Sequence, residues 1–253
     1  MKVSGDLRGC FPTGRHYPGI AHLLRLQVEG LASEWGPELA VSDIPWVSID
    51  TETTGTDAAT DRIIELGCVL MRGGEVIEQR GWLINPQCPI PQEASQVHGI
   101  LDKDVADKPT FAELSQQVSE YLKGHLPLAY NAQFDRSFVH QEFARVAQGQ
   151  GEDLAREQTD LAPALRKSVQ WLDPLDWARE LQKEHKSRAL GEVCQRLGIE
   201  LENAHRATDD AAAAGRVMAA FIQDQRVPRN YAALIKEQKR LSRLFEFERI
   251  RFG

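Results

Sequence analysis

The chain has 253 residues, of which 42% are hydrophobic and 26% are charged. This composition excludes a disordered chain, and the absence of any apolar run long enough to span a bilayer excludes a membrane-embedded one. The length fits one domain of ordinary size with additions. Lys2 and Arg8 are followed by glycine and proline rather than by an apolar stretch, so we expect no secretory signal, a cytoplasmic location and no membrane partner.

Charge is distributed unevenly along the chain. The net charge of −7 opposes a broad electrostatic attraction to nucleic acid. Residues 229–253, however, contain seven basic and three acidic residues, so this segment carries +4 and the remaining chain carries −11. An acidic excess in the larger part of the chain suits a site that binds cations.

The first half of the chain predicts an extension followed by three strands. Residues 1–43 are interpreted as a partly helical N-terminal extension, because Ile20 to Trp35 places several apolar residues on one helical face. Pro45 to Asp50 is a mostly apolar run, which predicts a central strand buried on both faces. Ile63 to Met71 and Val76 to Ile84 predict two more strands, joined by a tight turn at Gly73-Gly74. We therefore expect the first three strands to be antiparallel.

Helices and strands alternate in the second half. Thr110-Phe-Ala-Glu113 is a capping-box sequence, which predicts the start of an amphipathic helix. Leu126–Tyr130 and Val169–Leu172 predict a fourth and a fifth strand, and further helices are predicted over Phe134–Ala147, Leu175–Lys183, Ala189–Leu197 and Ala207–Gln223. This order predicts an α/β fold with a mixed five-stranded sheet and helices on both faces.

Two carboxylates lie at the end of the first strand. Asp50 and Glu52 are two residues apart, so on an extended strand both side chains project to the same side. Two negative charges this close are costly unless cations neutralise them, and carboxylate oxygens suit Mg²⁺ or Mn²⁺. Gly55 lets backbone approach a ligand at this strand end. A solvated strand end is the alternative, and the D-x-E pattern alone does not decide between the two.

Two later segments contain further acids beside helix starts. Asn131-Ala-Gln-Phe-Asp135 places Asp135 near the start of a helix, and Asp210 follows His205 by five residues at the head of an Ala-rich helix. Taken singly, each segment is also explained by helix capping, with Thr208 or Asp209 as the N-cap and His205 on the surface.

Together, and in this order, the three segments resemble the DnaQ-like DEDDh 3′-to-5′ exonuclease family, whose signature is D-x-E, N-x-x-F-D and H-x-x-x-x-D. Four intervening segments make the chain most similar to the epsilon-type proofreading subunits of bacterial DNA polymerase III: Ile63–Gly67, Val97–Ile100, Lys108–Glu113 and Leu172–Arg179. The resemblance covers about residues 45–222. It implies an RNase H-like exonuclease domain, which we place at residues 44–224.

The resemblance also implies which residues are catalytic. It makes His205 the general base, and it makes four carboxylates the ligands of two divalent cations, Mg²⁺ or Mn²⁺: Asp50, Glu52, Asp135 and Asp210. Two cations about 4 Å apart can activate water on one side of phosphorus and stabilise the leaving oxygen on the other. An unperturbed histidine, with a pKa near 6.5, can accept the proton of the attacking water at neutral pH.

The same resemblance implies four substrate-binding residues near the terminal nucleotides: Thr54, His98, Asn131 and Phe134. For His98 the alternative is a loop residue that supports a turn. For Phe134 the alternative is a core residue. The sequence indicates no base specificity, because single strands are generally bound by stacking and backbone contacts.

The function expected from these motifs is metal-dependent 3′-to-5′ hydrolysis of single-stranded DNA ends, releasing nucleoside monophosphates in proofreading or DNA repair. RNA is an alternative substrate, because nothing in the motifs reveals a pocket for the 2′-hydroxyl. More than forty residues precede the first catalytic strand, which also suits a stand-alone exonuclease. An alternative of a different class is a module that binds a polymerase or nucleic acid without catalysis.

Residues 225–253 are interpreted as a basic and apolar C-terminal helix or tail. Its apolar and basic residues interleave, which fits a helix packed on the core with a solvated basic face. The alternative is a docking segment for nucleic acid or a DNA polymerase. Leu241-Ser-Arg-Leu-Phe245 also resembles the short sliding-clamp-binding peptides of bacterial replication proteins.

Overall fold

The computed structural model describes residues 29–150, 161–201 and 206–252. Residues 20–28 of the helix expected from Ile20 to Trp35 lie outside these ranges. Residues 29–35 form turns rather than helix, and Gly30 has a φ of 92°, a left-handed conformation that ends regular helix. The helix prediction is therefore wrong for its described part.

The described strands form one mixed sheet in the order β3-β2-β1-β4. Their bounds are β1 Trp46–Thr53, β2 Ile63–Arg72, β3 Glu75–Leu83 and β4 Leu126–Leu128. β2 pairs antiparallel with both β1 and β3, whereas β4 is parallel to β1. Gly73 and Gly74 form the β2–β3 turn with φ values of 59° and 93°. The predicted antiparallel arrangement of the first three strands is confirmed.

The predicted fifth strand is wrong. Among the described residues, Val169–Leu172 pairs with the sheet only at Leu172, which forms a parallel bridge to Leu128. The Leu172 N–H donates to the Pro127 carbonyl at 2.8 Å, and the Ala129 N–H donates to the Leu172 carbonyl at 3.1 Å. The preceding residues do not pair with the sheet because they bond elsewhere: the Val169 N–H donates to the Arg166 carbonyl at 3.1 Å and the Gln170 N–H to the Gly30 carbonyl at 2.8 Å. After Leu172, Asp173 already caps a helix.

The helices predicted over Phe134–Ala147, Leu175–Lys183, Ala189–Leu197 and Ala207–Gln223 are present with bounds close to those expected, whereas two short helices before Thr110 were not predicted. Thr110 caps α3 as predicted: its side chain accepts the Glu113 N–H, and the Glu113 carboxylate accepts the Thr110 N–H at 2.7 Å. Short 3-10 turns occur at Val41–Asp43 and Pro163–Leu165. Within the described ranges the α-helices are α1 Gln92–His98, α2 Asp102–Val105, α3 Phe111–Leu122, α4 Ala132–Gln150, α5 Pro174–Leu181, α6 Leu190–Leu197, α7 Ala207–Ile222 and α8 Tyr231–Phe252.

Helices cover both faces of the sheet, as predicted. Trp46 of β1 lies in a core formed with α5, α6, α7 and α8. Val47, which points to the opposite face, lies in a second core with α3 and α4. β1 is buried along most of its length, as the apolar run predicted for a central strand. Its C-terminal end therefore reaches the edge of both helix layers.

The C-terminal helix α8 packs against the first of these cores through Tyr231, Leu234 and Leu241, all buried. Gln238 is also fully buried; its amide group donates to the Trp171 carbonyl at 2.8 Å and accepts the Asp173 N–H at 2.9 Å. This matches the packed-helix interpretation. The division of the chain at residues 43 and 224 stays a prediction. None of the described helices is both long and apolar enough to cross a membrane.

Candidate active site

Helix α7 lies almost in contact with the backbone of β2. A Cβ added to Gly67 would lie 2.2 Å from the Ala207 carbonyl carbon, and one added to Gly215 would lie 2.0 Å from the Met71 sulfur. Ala207 and Gly215 are about 12 Å apart along a helix, and Gly67 and Met71 are about 13 Å apart along a strand. The helix therefore runs along the strand, with its first turn beside Gly67.

This packing brings three carboxylates together. Asp50 is the cross-strand partner of Gly67, so its side chain and that of Glu52 project to the face on which α7 lies. Asp210 belongs to the first turn of α7. Asp50, Glu52 and Asp210 each offer a carboxylate oxygen within 4.8 Å of the other two. We call these three residues the carboxylate group; the neighbouring Asp209 is not a member.

Asp135 reaches the same strand from the opposite face. It lies near the start of α4 and is only 2% exposed. Thr51, between the two acids of β1, points away from α7, and its hydroxyl donates to Asp135 Oδ1 at 2.8 Å. Asp135 is thus held beside the strand that carries Asp50, although it lies outside the carboxylate group.

Asp173 fixes the start of the helix that carries Asp135. Its Oδ1 accepts the N–H groups of Asn131 at 3.0 Å and Leu175 at 2.9 Å, and its Oδ2 accepts the Ala132 N–H at 2.9 Å. One carboxylate therefore caps α5 and also binds the beginning of α4. Asp173 has no role in the D-x-E, N-x-x-F-D and H-x-x-x-x-D motifs. Its signal was the Asp-Pro pair, because aspartate is a preferred N-cap and proline a preferred first helical residue.

Burial and mutual repulsion raise the pKa values of these carboxyls. The pKa of Asp50 is well above its ordinary value, first because of burial and then because of the charges of Asp135, Asp210 and Glu52. Burial, followed by the charge of Asp210, raises the pKa of Glu52 to about 8. Burial also raises the pKa of Asp135 to about 7, against the hydrogen bond from Thr51. Crowded, partly desolvated oxygen ligands of this kind fit a hard divalent cation.

Two of the predicted substrate-binding residues are buried and bonded locally. Thr54 is 4% exposed, and its hydroxyl accepts the Arg62 N–H at 3.0 Å, closing the loop that follows β1. His98 ends α1 and is 7% exposed, and its Nδ1 accepts the Ile100 N–H at 3.0 Å. The turn-supporting alternative for His98 therefore has a structural basis.

The other two predicted substrate-binding residues, Asn131 and Phe134, lie just before Asp135. Asn131 is exposed and has a φ of 66°, a left-handed conformation that asparagine tolerates better than most residues. Phe134 is partly buried, and its ring centroid lies 4.9 Å from that of Phe138. Phe134 is thus partly a core residue, as the alternative proposed.

His205 lies outside the described residues, so its role as general base stays a prediction. Arg206, the next residue, is described, and its Nη2 donates to Glu65 Oε1 at 2.8 Å. Glu65 is the cross-strand partner of Glu52. Glu65 belongs to the Ile63–Gly67 similarity in the sequence, but its position opposite Glu52 is a property of the folded sheet.

A mixed sheet covered by helices on both faces, with acidic side chains gathered at the end of its central strand, defines an RNase H-like nuclease. Residues 47–218 match the family model of RNase T, described as "Exonuclease". The chain belongs to this exonuclease family, and the family resemblance inferred from the motifs is confirmed.

Curated relatives include much longer DNA polymerases. DNA polymerase III PolC-type of Streptococcus thermophilus is 30% identical over 186 residues, which are 74% of this chain and 12% of that protein. The PolC-type enzyme of Bacillus cereus is 32% identical over 179 residues, 71% of this chain and 11% of that protein. The chain thus spans only about 12% of the length of the first of these relatives.

Solved structures support the fold. E. coli exonuclease I in complex with a dT13 oligonucleotide is 20% identical, with a TM-score of 0.59 over 73% of this chain and 42% of that one. Exonuclease X in complex with 5′-overhanging duplex DNA is 20% identical, with a TM-score of 0.56 over 75% and 98%. The nuclease domain of 3′hExo, a DEDDh family member bound to rAMP, is 16% identical, with a TM-score of 0.57 over 74% and 96%. These likenesses confirm the RNase H-like fold.

Proposed function

We propose that this chain is a metal-dependent exonuclease that removes nucleoside monophosphates from the 3′ end of single-stranded DNA, in proofreading or DNA repair. The observation that carries the proposal is the convergence of Asp50, Glu52 and Asp210 where β1 ends beside α7. DNA as substrate is supported by the PolC-type relatives and by the DNA-bound exonuclease structures. An epsilon-like role is proposed from the same relatives and from the motifs.

The carboxylates would hold two divalent cations, Mg²⁺ or Mn²⁺. Asp50 is proposed to contribute to both sites, because the charges of both Asp135 and Asp210 act on it. Glu52 and Asp210 would complete one site, and Asp135 would serve the other. Cations bound there supply activation of the attacking water and stabilisation of the leaving 3′ oxygen.

His205 is proposed to take the proton of the attacking water as general base. Such a step contributes about 10² to 10⁴ in rate. The chain immediately after it is anchored, because Arg206 binds Glu65 and begins the helix that carries Asp210. His205→Ala is expected to lose most of the rate and to keep its cation affinity. Loss of cation binding in that variant would instead make His205 a ligand.

The terminal nucleotides are proposed to lie near Thr54, His98, Asn131 and Phe134. Phe134 immediately precedes Asp135, and Asn131 lies just before the helix that carries it. Beside the buried His98, Val97 is 60% exposed and offers an apolar surface on which a base can pack. A DNA polymerase is the proposed partner, from the PolC-type relatives. A sliding clamp is not proposed, because Leu241 of the clamp-like segment is buried within the fold.

The experiment that tests this function is the degradation of 5′-labelled single-stranded DNA and RNA of matched sequence, with Mg²⁺, Mn²⁺ or EDTA. We expect a cation-dependent ladder that shortens from the 3′ end. Asp50→Asn should abolish it. Asp209→Asn is the matched control, because it makes the same charge change beside the carboxylate group without belonging to it.

Each other outcome has a defined meaning. A ladder from RNA but not from DNA would reassign the chain to RNA turnover. Shortening from the 5′ end would refute the proposed direction. No cleavage of either polymer, by a protein that still binds both, would support the binding-module alternative and refute the enzyme.

A further inference from the structure

Glu65 is a buried carboxylate beside the carboxylate group, and one of its oxygens is unpaired. It is 3% exposed and lies directly opposite Glu52 in the antiparallel β1–β2 pair. Side chains in such pairs share a face, with Cβ atoms about 4.5–5.5 Å apart. Glu65 Oε1 accepts from Arg206 Nη2 at 2.8 Å. Burial raises the pKa of this carboxyl, against the smaller opposing effects of Arg206 and of the Ala207 N–H, which approaches the same carboxylate at the start of α7. Oε2 is buried without a hydrogen-bond partner. A buried unpaired carboxylate oxygen is costly, so this position calls for a further partner.

A purely structural ion pair does not account for this arrangement. Elsewhere in the fold, buried Glu142 has both oxygens bound by Arg62, at 2.7 and 3.1 Å. Arg206 instead contacts Glu65 through a single nitrogen, and the Arg206 side chain is 50% exposed. At Glu142 both oxygens of a buried glutamate are therefore paired, which is not the case at Glu65. Glu65 keeps one oxygen without such a partner, next to the carboxylates.

The charges point the same way. Glu65 adds a further carboxylate to a strand end that already carries Asp50 and Glu52 and faces Asp210. The negative charge of Glu65 also reaches the other acids, since it raises the pKa values of both Asp50 and Glu52.

We propose that Glu65 is a positioning residue of the cation site: it anchors Arg206 through one oxygen and accepts a hydrogen bond from water in the site with the other. This inference rests on the proposed function. Arg206 immediately precedes α7, so its anchor sets how closely Asp210 approaches Asp50. Groups that support metal ligands in this way typically change metal affinity by about 10- to 100-fold when they are replaced.

The test is Mn²⁺ binding by titration calorimetry without nucleic acid, together with the unfolding temperature in EDTA. Glu65→Gln, which keeps the size and loses the charge, is expected to weaken Mn²⁺ binding by about 10-fold or more. Asp224→Asn is the matched control, because it breaks an aspartate–arginine pair with Arg226 just beyond the other end of α7. It makes the same change in net charge and should leave Mn²⁺ affinity at the parent value.

Parent-like Mn²⁺ affinity in Glu65→Gln would overturn the inference, even if its unfolding temperature fell. Glu65→Asp provides a second variant, since it keeps the charge and withdraws the carboxylate by one methylene; it should also bind Mn²⁺ more weakly, and unchanged affinity would count against a positioning role. If the parent does not bind Mn²⁺, or binds it equally well after Asp50→Asn, the proposed function is refuted as well. Binding in the parent with unchanged affinity in the Glu65 variants refutes this inference alone.

Discussion

Substitution of Gly67 by alanine tests whether the contact between α7 and β2 sets the spacing of the carboxylates. The added Cβ would lie 2.2 Å from the Ala207 carbonyl carbon and 2.5 Å from the Thr208 nitrogen. Both are backbone atoms, so no rotamer change relieves the overlap. Ordinary Cβ contacts begin at 3.4 Å, so the first turn of α7 must retreat by about 1 Å.

A retreat of this size is large compared with what the site tolerates. Overpacking a close contact typically costs about 1–3 kcal/mol of unfolding free energy. Metal–ligand distances tolerate deviations of only about 0.2 Å, so Asp210 would no longer complete the carboxylate group. We expect Gly67→Ala to fold with that loss of stability and to lose about 10²-fold in kcat, the typical cost of a 1 Å misplacement.

The assay is a graded series of glycine-to-alanine variants, each measured for cleavage of a short oligonucleotide and for unfolding in urea. A Cβ on Gly36 meets nothing within 4 Å and should be neutral. A Cβ on Gly81 lies 3.2 Å from the Thr208 methyl group, a side chain that can adjust, so a small effect is expected. Parent-like kcat and cation affinity in Gly67→Ala would refute the reasoning.

Three further predictions concern the charges and caps of the site. In EDTA, Asp50→Asn should raise the unfolding temperature, because it removes one charge from a crowded group, and Mn²⁺ should no longer stabilise the variant; a lower unfolding temperature would contradict this. In EDTA, the free energy of unfolding of the parent should fall as pH rises from 4.5 to about 8, because folded Glu52 keeps a proton up to a pKa of about 8 that the unfolded chain releases near 4.5. Urea titrations should show a shallower pH dependence with Mg²⁺, and an equal slope would argue against cation binding at Glu52. The two carboxylate oxygens of Asp173 accept three N–H groups, and Asp173→Asn replaces one of these oxygens with an NH₂ group that cannot accept. The variant should lose about 1 kcal/mol of unfolding free energy and should have a lower kcat, because the helix that carries Asp135 is held less firmly. An unchanged kcat would show that Asp173 stabilises the fold without positioning Asp135.

Local patterns predicted the elements that depend on neighbouring residues. Strand β1, the Gly73-Gly74 turn and the Thr110 cap follow from apolar runs, glycine conformations and side-chain bonds within a few residues. The fifth strand failed because the Gln170 N–H bonds to the carbonyl of Gly30, 140 residues earlier in the chain, and not to the sheet. No apolar pattern carries that information.

The candidate site also has features that the sequence motifs predict and features that depend on contacts between distant residues. The order of the motifs predicted that Asp50, Glu52 and Asp210 act together, and the structure brings their oxygens within 4.8 Å. The support of the site by Glu65 was not predicted, because its bond to Arg206 joins residues 141 positions apart. Its burial and its unpaired oxygen are properties of the folded chain only.

The buried side chain of Gln238 links the C-terminal helix α8 to the helices of the candidate site. The family match stops at residue 218, yet Gln238 of α8 accepts the N–H of Asp173, which in turn holds the start of the helix bearing Asp135. A fragment cut at residue 224 would keep every motif and leave the partly buried Asp173 N–H without Gln238 as its acceptor. We therefore expect a nuclease excised or grafted by motif boundaries alone to lose part of the support for the helix that carries Asp135.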